Sequence, residues 1–522
     1  MSSHFRKSVF VWIPYIFLLI VFLIELVAIL NYDAGTFVYS LDDPYIHLRL
    51  AQNIVKGTYG INLGEPASPS SSILWPFLLA PFALFGVEQY IPLVMNLIIS
   101  LVLIAVNGHL FDLILGDSLN DRSEIKAFLI IIILLATNTI GLIFTGMEHL
   151  LQILLGLILL AGLIEECHSH EVKKWLVLVI ILGPLVRYEN LALSLPAILY
   201  LVFRKQFRSA ILGGGLVFIL LGGFSFYLHR LGLPWLPASI MIKSSVAGDQ
   251  GLIFGLLFNL FHNIFSVREG VLVIIGFLLF LYGALFYPAA TADKLISAWG
   301  AFAAALHLLA GSFGWLFRYE IYIWAVIILG NAYIYRQNLI RFITNNSTIK
   351  ITLFVSVSMV LLCTNFISAT LSTPLASSNI YKQQYQMRRF VLEYLKQPVG
   401  VNDIGWISYQ NPYYVLDFYG LASFGSPEYL ERKADSQWME TLAQRHDVRL
   451  VMIYEDVFSG QIPADWVVLG KLYLRDLKIS PAESVVTFYA TSPGDVSQLQ
   501  LLLKQFTPTL PSGAEFVFSQ NG

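Results

Sequence analysis

The chain has 522 residues, of which 57% are apolar and 13% are Asp, Glu, Lys or Arg, and its mean hydropathy is +0.69. Soluble globular chains carry about 25% charged residues, so this composition excludes a soluble domain and points to an integral membrane protein in a lipid bilayer. A formal net charge of −2 offers nothing to attract a nucleic acid.

At the N-terminus, Arg6 and Lys7 precede an apolar run from Val9 to Leu30. The run is long for a signal-peptide core and has no clear cleavage site, which predicts a retained anchor with a cytoplasmic N-terminus. Spanning helices are predicted at 10–30, 90–111, 126–143, 148–164, 174–187, 190–203, 209–228, 271–288, 295–312, 319–335 and 350–370, about eleven in all. Ile73–Phe85 is also apolar, but it is short and interrupted by Pro76 and Pro81. If it does not span, Arg122/Lys126, Lys173/Lys174, Arg204/Lys205/Arg208, Lys294 and Arg336/Arg341/Lys350 all fall on the cytoplasmic side, as the positive-inside rule requires. The segment is therefore predicted to lie in the interface, within a first external loop from about Asn31 to Gln89. The two cysteines, Cys167 in a cytoplasmic loop and Cys363 in a membrane helix, predict neither a disulfide nor a cysteine metal site.

The predicted fold class is a polytopic α-helical membrane module, 1–371, followed by an extracytoplasmic α/β domain, 372–522. In the latter, strands are read at 399–402, 414–417, 448–454, 466–469 and 485–489. Helices are read at 383–396, 434–445 and 496–505, and the Pro/Gly/Ser-bearing tail after Thr507 is read as loose.

The residues with chemical potential gather on the external side. Asp42 and Asp43 open an amphipathic helix in Leu41-Asp-Asp-Pro-Tyr45, and ionisable groups at a membrane edge are functional candidates. With Pro44 at the first helical position, Asp43 is placed to cap the helix and Asp42 is left as the general base; a register shift of one exchanges them. Ser68, Ser70, Ser71 and Ser72 follow as sugar- or phosphate-binding candidates, or as turn and cap residues. The short turn Thr145-Gly-Met-Glu-His149 sets Glu148 at the membrane face, to hold the acceptor or a metal, or to cap the next helix. Arg187-Tyr-Glu189 and Phe317-Arg-Tyr-Glu320 each bring an Arg beside a Glu, as phosphate ligands or as internal ion pairs. Lys243 suits an anionic head group or snorkels. A hydroxyl nucleophile needs a base, and a phosphate leaving group needs cations where charge develops. The external acids and cations meet both demands. No nucleotide-binding glycine loop occurs on the cytoplasmic side, which is consistent with a lipid-phosphate donor.

These motifs resemble the GT-C glycosyltransferases, in particular bacterial polyprenyl-phosphate-dependent arabinofuranosyl- and mannosyltransferases. The resemblance rests on Asp42-Asp43-Pro44-Tyr45-Ile46 with Arg49, Ala51 and Asn53, and on Ser70-Ser-Ser-Ile-Leu-Trp75. It extends in order through Thr145-Gly-Met-Glu-His149, Arg187-Tyr-Glu189, Leu236-Pro-Ala-Ser-Ile-Met-Ile-Lys243 and Val401-Asn-Asp-Ile-Gly405. Pro44 departs from the common Ala, and Ala238 stands where the family often has Asn.

The resemblance implies an inverting transferase of the bacterial inner membrane. Its donor is a polyprenyl-phosphate sugar and its acceptor a glycan, lipid or protein hydroxyl. Asp42 or Asp43 is implied as the base, and Tyr45, His47, Arg49, Ser70, Glu148, Arg187, Glu189, Lys243 and Arg318 as substrate-binding. Asp403, at the end of a predicted strand, contributes from the external domain or forms a tight turn. A divalent metal is left open. The rival reading, a transporter or flippase of lipid-linked saccharide, needs ionisable groups along mid-membrane positions, where the sequence has few.

Overall fold

A computed structural model describes residues 3–119, 122–243, 251–423, 429 and 437–519, with the backbone alone at 3–8, 243 and 252. Helix α1 (Ser3–Tyr32) is followed by the loop read as external, which folds into α2 (Asp43–Ile54) and α3 (Leu74–Ala83). The helical module continues with α4 (Ile91–Leu115), α5 (Ser123–Ala136), α6 (Thr139–Ile143), α7 (His149–Ser169), α8 (Lys174–Val186), α9 (Leu191–Phe203) and α10 (Phe207–Arg230). Then come α11 (Ala238–Lys243), α12 (Leu252–Phe265), α13 (Arg268–Leu285), α14 (Thr291–Ala310), α15 (Ile321–Ile334), α16 (Arg336–Asn345) and α17 (Thr348–Leu371).

Every stretch read as spanning is helical. Among the described residues, six helices are long and apolar enough to cross a bilayer: Val9–Tyr32, Glu88–Leu119, His149–Ser169, Phe207–Arg230, Arg268–Leu285 and Thr348–Leu371. The stretch read as one span over 126–143 is broken between α5 and α6, where Asn138 takes a left-handed φ of 47° and its side chain bonds Thr370 and the Leu316 carbonyl. Helix α12, which the sequence reading passed over, packs on the end of α14. Its Asn259 and Asn263 amides donate to the Leu308, Leu309 and Gly311 carbonyls at 2.9–3.2 Å, satisfying acceptors that a helix C-terminus leaves open.

Helix α7 is buried along most of its length and forms the middle of the bundle. Small residues let its neighbours close in: Phe280 of α13 sits against Gly300 of α14 and Gly330 of α15, where a Cβ would meet the ring at 2.6 and 2.7 Å.

Helix α18 (Thr373–Lys382) leads from the helical module into the C-terminal domain, the one read as external, followed by α19 (Gln384–Arg389) and a π-helical turn, Phe390–Leu395. The domain is a six-stranded mixed sheet in the order β2-β1-β3-β5-β4-β6, with β1 (Val399–Val401), β2 (Val415–Asp417), β3 (Leu450–Ile453), β4 (Val467–Leu474), β5 (Val485–Ala490) and β6 (Ala514–Phe518). Strands β1, β2 and β3 run parallel and the others antiparallel. Both faces are covered, as the two-residue period shows: Leu450 and Met452 pack on the face bearing Phe390 and Phe506, and Val451 and Ile453 on the face bearing Trp438 and Trp466. The tail read as loose instead supplies β6, which pairs with β4.

The domain is joined to the external loop by specific contacts. Tyr45 of α2 stacks on Trp406 at 3.7 Å between ring centroids. The Asn62 amide pairs with both backbone groups of Val415 at 3.0 Å, extending the ladder beyond β2. Ser377 of α18 donates to Asp33 and the Val38 carbonyl.

Candidate functional site

These contacts enclose a cavity of about 670 Å³ between the external loop, the turns Arg187–Glu189 and Gly311–Tyr322, and the external domain. Its side toward α9 and α14 is apolar, with Leu191, Leu195, Leu306 and Ala310. Its polar lining includes Asp42, Asp43, Ser71, Arg187, Glu189, Arg318, Tyr319, Gln384, Asn402, Asp403 and Tyr454.

Arg187 and Arg318 form the cationic wall, and the two are partnered differently. Arg187 is held by Glu148 (2.7 Å) and Glu189 (2.6 and 3.2 Å) and touches Ser71 at 3.3 Å. The expected Arg187–Glu189 ion pair is therefore present, with Glu148 as a second partner. Arg318 does not pair with Glu320. It reaches back to Asp43 at 2.5 Å and to the Tyr319 hydroxyl at 2.8 Å, while Glu320 accepts the Gly314 N–H at 3.0 Å. The side chain of Arg318 is buried, yet its Nε and Nη1 donors have no partner. The Tyr319 ring lies 4.8 Å from the Arg318 guanidinium and 5.7 Å from that of Arg187, so its negative face offsets two buried positive charges.

Neither aspartate caps α2 with its side chain as the sequence reading expected of Asp43. Asp42 occupies the N-cap position of α2 without capping it by its side chain. Its carboxylate accepts instead from the Gly405 and Trp406 backbone N–H groups, each at 2.8 Å, at the start of a short helix, α20 (Gly405–Ser408). Gly405 is required there, because a Cβ would overlap the Asp42 carbonyl and carboxylate. Asp43, expected to cap, carries Arg318. Burial and the nearby charge of Asp403 push the Asp42 carboxyl above its ordinary range, against the two N–H donors that favour its charged form. Asp403 is also raised by burial. It accepts from Tyr454 (2.7 Å), Gln384 (2.9 Å) and Asn402 (3.1 Å).

Five residues expected to bind substrate, Tyr45, His47, Arg49, Ser70 and Glu148, do not line the cavity. Tyr45 is buried under Trp406, its hydroxyl taken by the Tyr39 N–H. Arg49 donates to the Ile61 carbonyl at 2.7 Å. His47 bridges Ser70 at 3.1 Å and Glu148 at 3.7 Å, and Ser70 is further bound to Ser72. Ser72 caps α3 through the Trp75 N–H, Ser68 accepts from Ala238, and Ser71 is the serine that reaches the cavity. Glu148 stands at the N-cap of α7 without a side-chain cap bond and orients Arg187. The side chain of Lys243, with Ser244 and Ser245, lies outside the described residues. The sequence reading missed Gln384, Tyr454 and Tyr319. The first two come from a domain whose docking has no local signature, and Tyr319 was noted only as a neighbour of Arg318.

Among the described residues, no group of three or more His, Cys, Asp or Glu is placed to hold a metal ion.

Residues 378–489 match a family described as a domain of unknown function, DUF8728. No curated protein matches the sequence. Among solved structures, the chain is similar to the Archaeoglobus fulgidus oligosaccharyltransferase in complex with zinc and sulfate, at 13% identity and a TM-score of 0.42, over 96% of this chain and 75% of that one. The same enzyme tethered with an acceptor peptide containing the NVT sequon gives 13% identity and 0.41, over 98% and 77%. The archaeal oligosaccharyltransferase AglB from A. fulgidus, with an inhibitory peptide and a dolichol-phosphate, gives 13% and 0.39, over 98% and 77%.

Proposed function

We propose that the chain is an inverting glycosyltransferase of the GT-C type, multi-pass in a bacterial inner membrane, with the external domain and the cavity on the outer side. It moves a sugar from a polyprenyl-phosphate donor to a hydroxyl acceptor. The observation that carries this reading is the pairing, in one cavity beside apolar helices, of a carboxylate with raised proton affinity and a buried guanidinium with two unpaired donors.

The lipid tail lies along the apolar side of the cavity and the phosphate meets Arg318, with Asp43 and Tyr319 fixing the guanidinium. The acceptor oxygen attacks the anomeric carbon from the face opposite the phosphate. Asp42 takes its proton, the sugar–phosphate C–O bond breaks, and the electron pair goes to the departing phosphate oxygen. The phosphate gains charge in that step, so the Arg318 donors bind it more strongly as the transition state is reached. Asp42 is the base because its carboxylate is held by backbone N–H groups alone, whereas the Asp43 carboxylate is committed to Arg318.

The test is transfer from a panel of radiolabelled polyprenyl-phosphate sugars by purified protein in lipid, comparing wild type, Asp42→Asn and Asp43→Asn. Turnover of one donor is expected, abolished in Asp42→Asn. Normal turnover by Asp42→Asn would remove the base assignment. Absence of any transfer or donor hydrolysis by folded wild type would remove the transferase reading.

A further inference from the structure

Asp33, just past the end of α1, does not line the cavity. Its side chain is 0% exposed and meets Ser377 of α18, the helix that leads into the C-terminal domain. Ser377 Oγ lies 2.7 Å from Asp33 Oδ2 and 2.6 Å from the Val38 carbonyl oxygen. Both contacts are of hydrogen-bond length, but two donations from Ser377 would need two hydrogens on one hydroxyl. A carbonyl oxygen can only accept. Ser377 therefore donates to Val38, and the hydrogen in the other contact belongs to Asp33. The second carboxyl oxygen, Oδ1, is buried without a partner, a setting that a neutral acid tolerates far better than a carboxylate. Burial pushes the Asp33 carboxyl up to about 7, against Ser377 and the charge of Lys382.

Lys382 of α18 faces Asp33 and is paired with Asp476, and Tyr381 is the neighbouring phenol. Farther along the loop that holds Asp476, Lys478 pairs with Glu483. Glu25 stands about two turns earlier on α1. Helices α4, α5 and α6 also pack on α1. The charged residues of α4 and α5 lie at the ends away from Asp33, and α6 carries none.

The Asp33–Ser377 contact holds the segment 36–41. Val38 is in its middle, Ser40 is fixed by the Phe144 carbonyl and by Ser480, and the segment runs directly into Asp42. Among the described residues, no other donor reaches the Val38 carbonyl. An ionised Asp33 draws the Ser377 hydrogen to itself, since charge-assisted bonds are the stronger, and leaves that buried carbonyl bare.

We propose that Asp33 is a proton-sensitive latch: protonated, it locks 36–41 onto α18, and ionised, it releases the segment that leads to Asp42. The latch does not depend on the transferase reading. An acid with a raised folded pKa stabilises the closed form most below its ordinary value of about 4, and that contribution is lost as pH rises to the folded value.

Full-length protein in nanodiscs is followed by amide hydrogen exchange, as protection factors corrected for the intrinsic pH dependence of exchange. In wild type the protection of 36–41 is expected to fall by up to about tenfold per pH unit between about pH 5 and about pH 7, and then to level off. In Asp33→Asn, whose amide donates to Ser377 without titrating, it is expected to stay constant. Lys382→Gln removes the facing positive charge and is expected to move the levelling point to higher pH, which decides the matter where Asp33→Asn fails to fold. Infrared difference spectra, wild type minus Asp33→Asn, are expected to show the carbonyl stretch of a protonated carboxylic acid on the acid side and to lose it on the alkaline side. Protection of 36–41 that is independent of pH in wild type, that falls equally in Asp33→Asn, or that levels off at the same pH in Lys382→Gln would overturn the latch.

Discussion

Asp42 directs both carboxylate oxygens to backbone N–H groups 363 and 364 residues away in the chain, while its neighbour Asp43 turns to Arg318. A base in that setting works only when ionised, and its proton affinity is raised. The acid limb of kcat/KM is therefore expected to lie above the ordinary carboxylate value of about 4, with activity lost as pH falls through the raised pKa. A pH–rate profile with its limb near 4 would contradict the assignment. Asp43→Ala leaves Arg318 buried without its counter-charge, a change that costs about 3–5 kcal/mol in buried pairs. Asp43 is 24% exposed, which places this pair at the lower end. The double variant Asp43→Asn/Arg318→Gln is expected to regain stability in thermal or chemical denaturation but not donor binding. The sequence led to the acidic pair and to Arg187 and Arg318, because charges at a membrane edge are conspicuous. It did not reveal which aspartate caps which helix, because the donors that claim Asp42 belong to Gly405 and Trp406 in another domain, whereas the sequence argument considered only N–H groups of the adjoining helix.

Helix α20 is a single turn, and its start is the element on which the site depends. Gly405→Ala is expected to leave the fold of the sheet intact while displacing Asp42, since the added Cβ overlaps the Asp42 carbonyl and carboxylate. Transfer is expected to fall by about 10²-fold or more, in line with losing a positioned general base, with the undecaprenyl phosphate affinity unchanged. An alanine variant with full turnover would show that Asp42 needs no such anchor. At this scale the long apolar helices were legible from length alone, and five of the six strands from their β-branched and aromatic runs. The misses have local causes. Asn259, His262 and Asn263 interrupt the apolar pattern of α12, yet the two asparagines are the residues that seat it on α14. Strand β6 follows Pro511, Ser512 and Gly513, turn residues that conceal a pairing to β4 decided by tertiary contact.

Across the whole molecule, the sheet domain and the helical module share one enclosed space, and a second cavity of about 530 Å³ adjoins it. Trp315, Ser480, Pro481 and Ala482 line both. Trp315, Leu316 and Phe317, which line the second cavity, and the preceding Gly314 all have positive φ, at 50°, 62°, 55° and 88°. For the three non-glycine residues this backbone costs roughly 1–2 kcal/mol each, and it persists with the Leu316 carbonyl tethered to Asn138. The segment thus holds backbone tension beside the place where the two cavities meet. Glycine at Leu316 removes one share of that tension, less about 0.5–1 kcal/mol for glycine's own flexibility. The half-buried Leu316 side chain is lost as well, so relief of strain and loss of packing offset and Leu316→Gly is expected to change the melting temperature little. If this segment moves as substrate enters, turnover changes in Leu316→Gly although the melting temperature does not, and an equally fast variant would show that the segment stays fixed during the reaction.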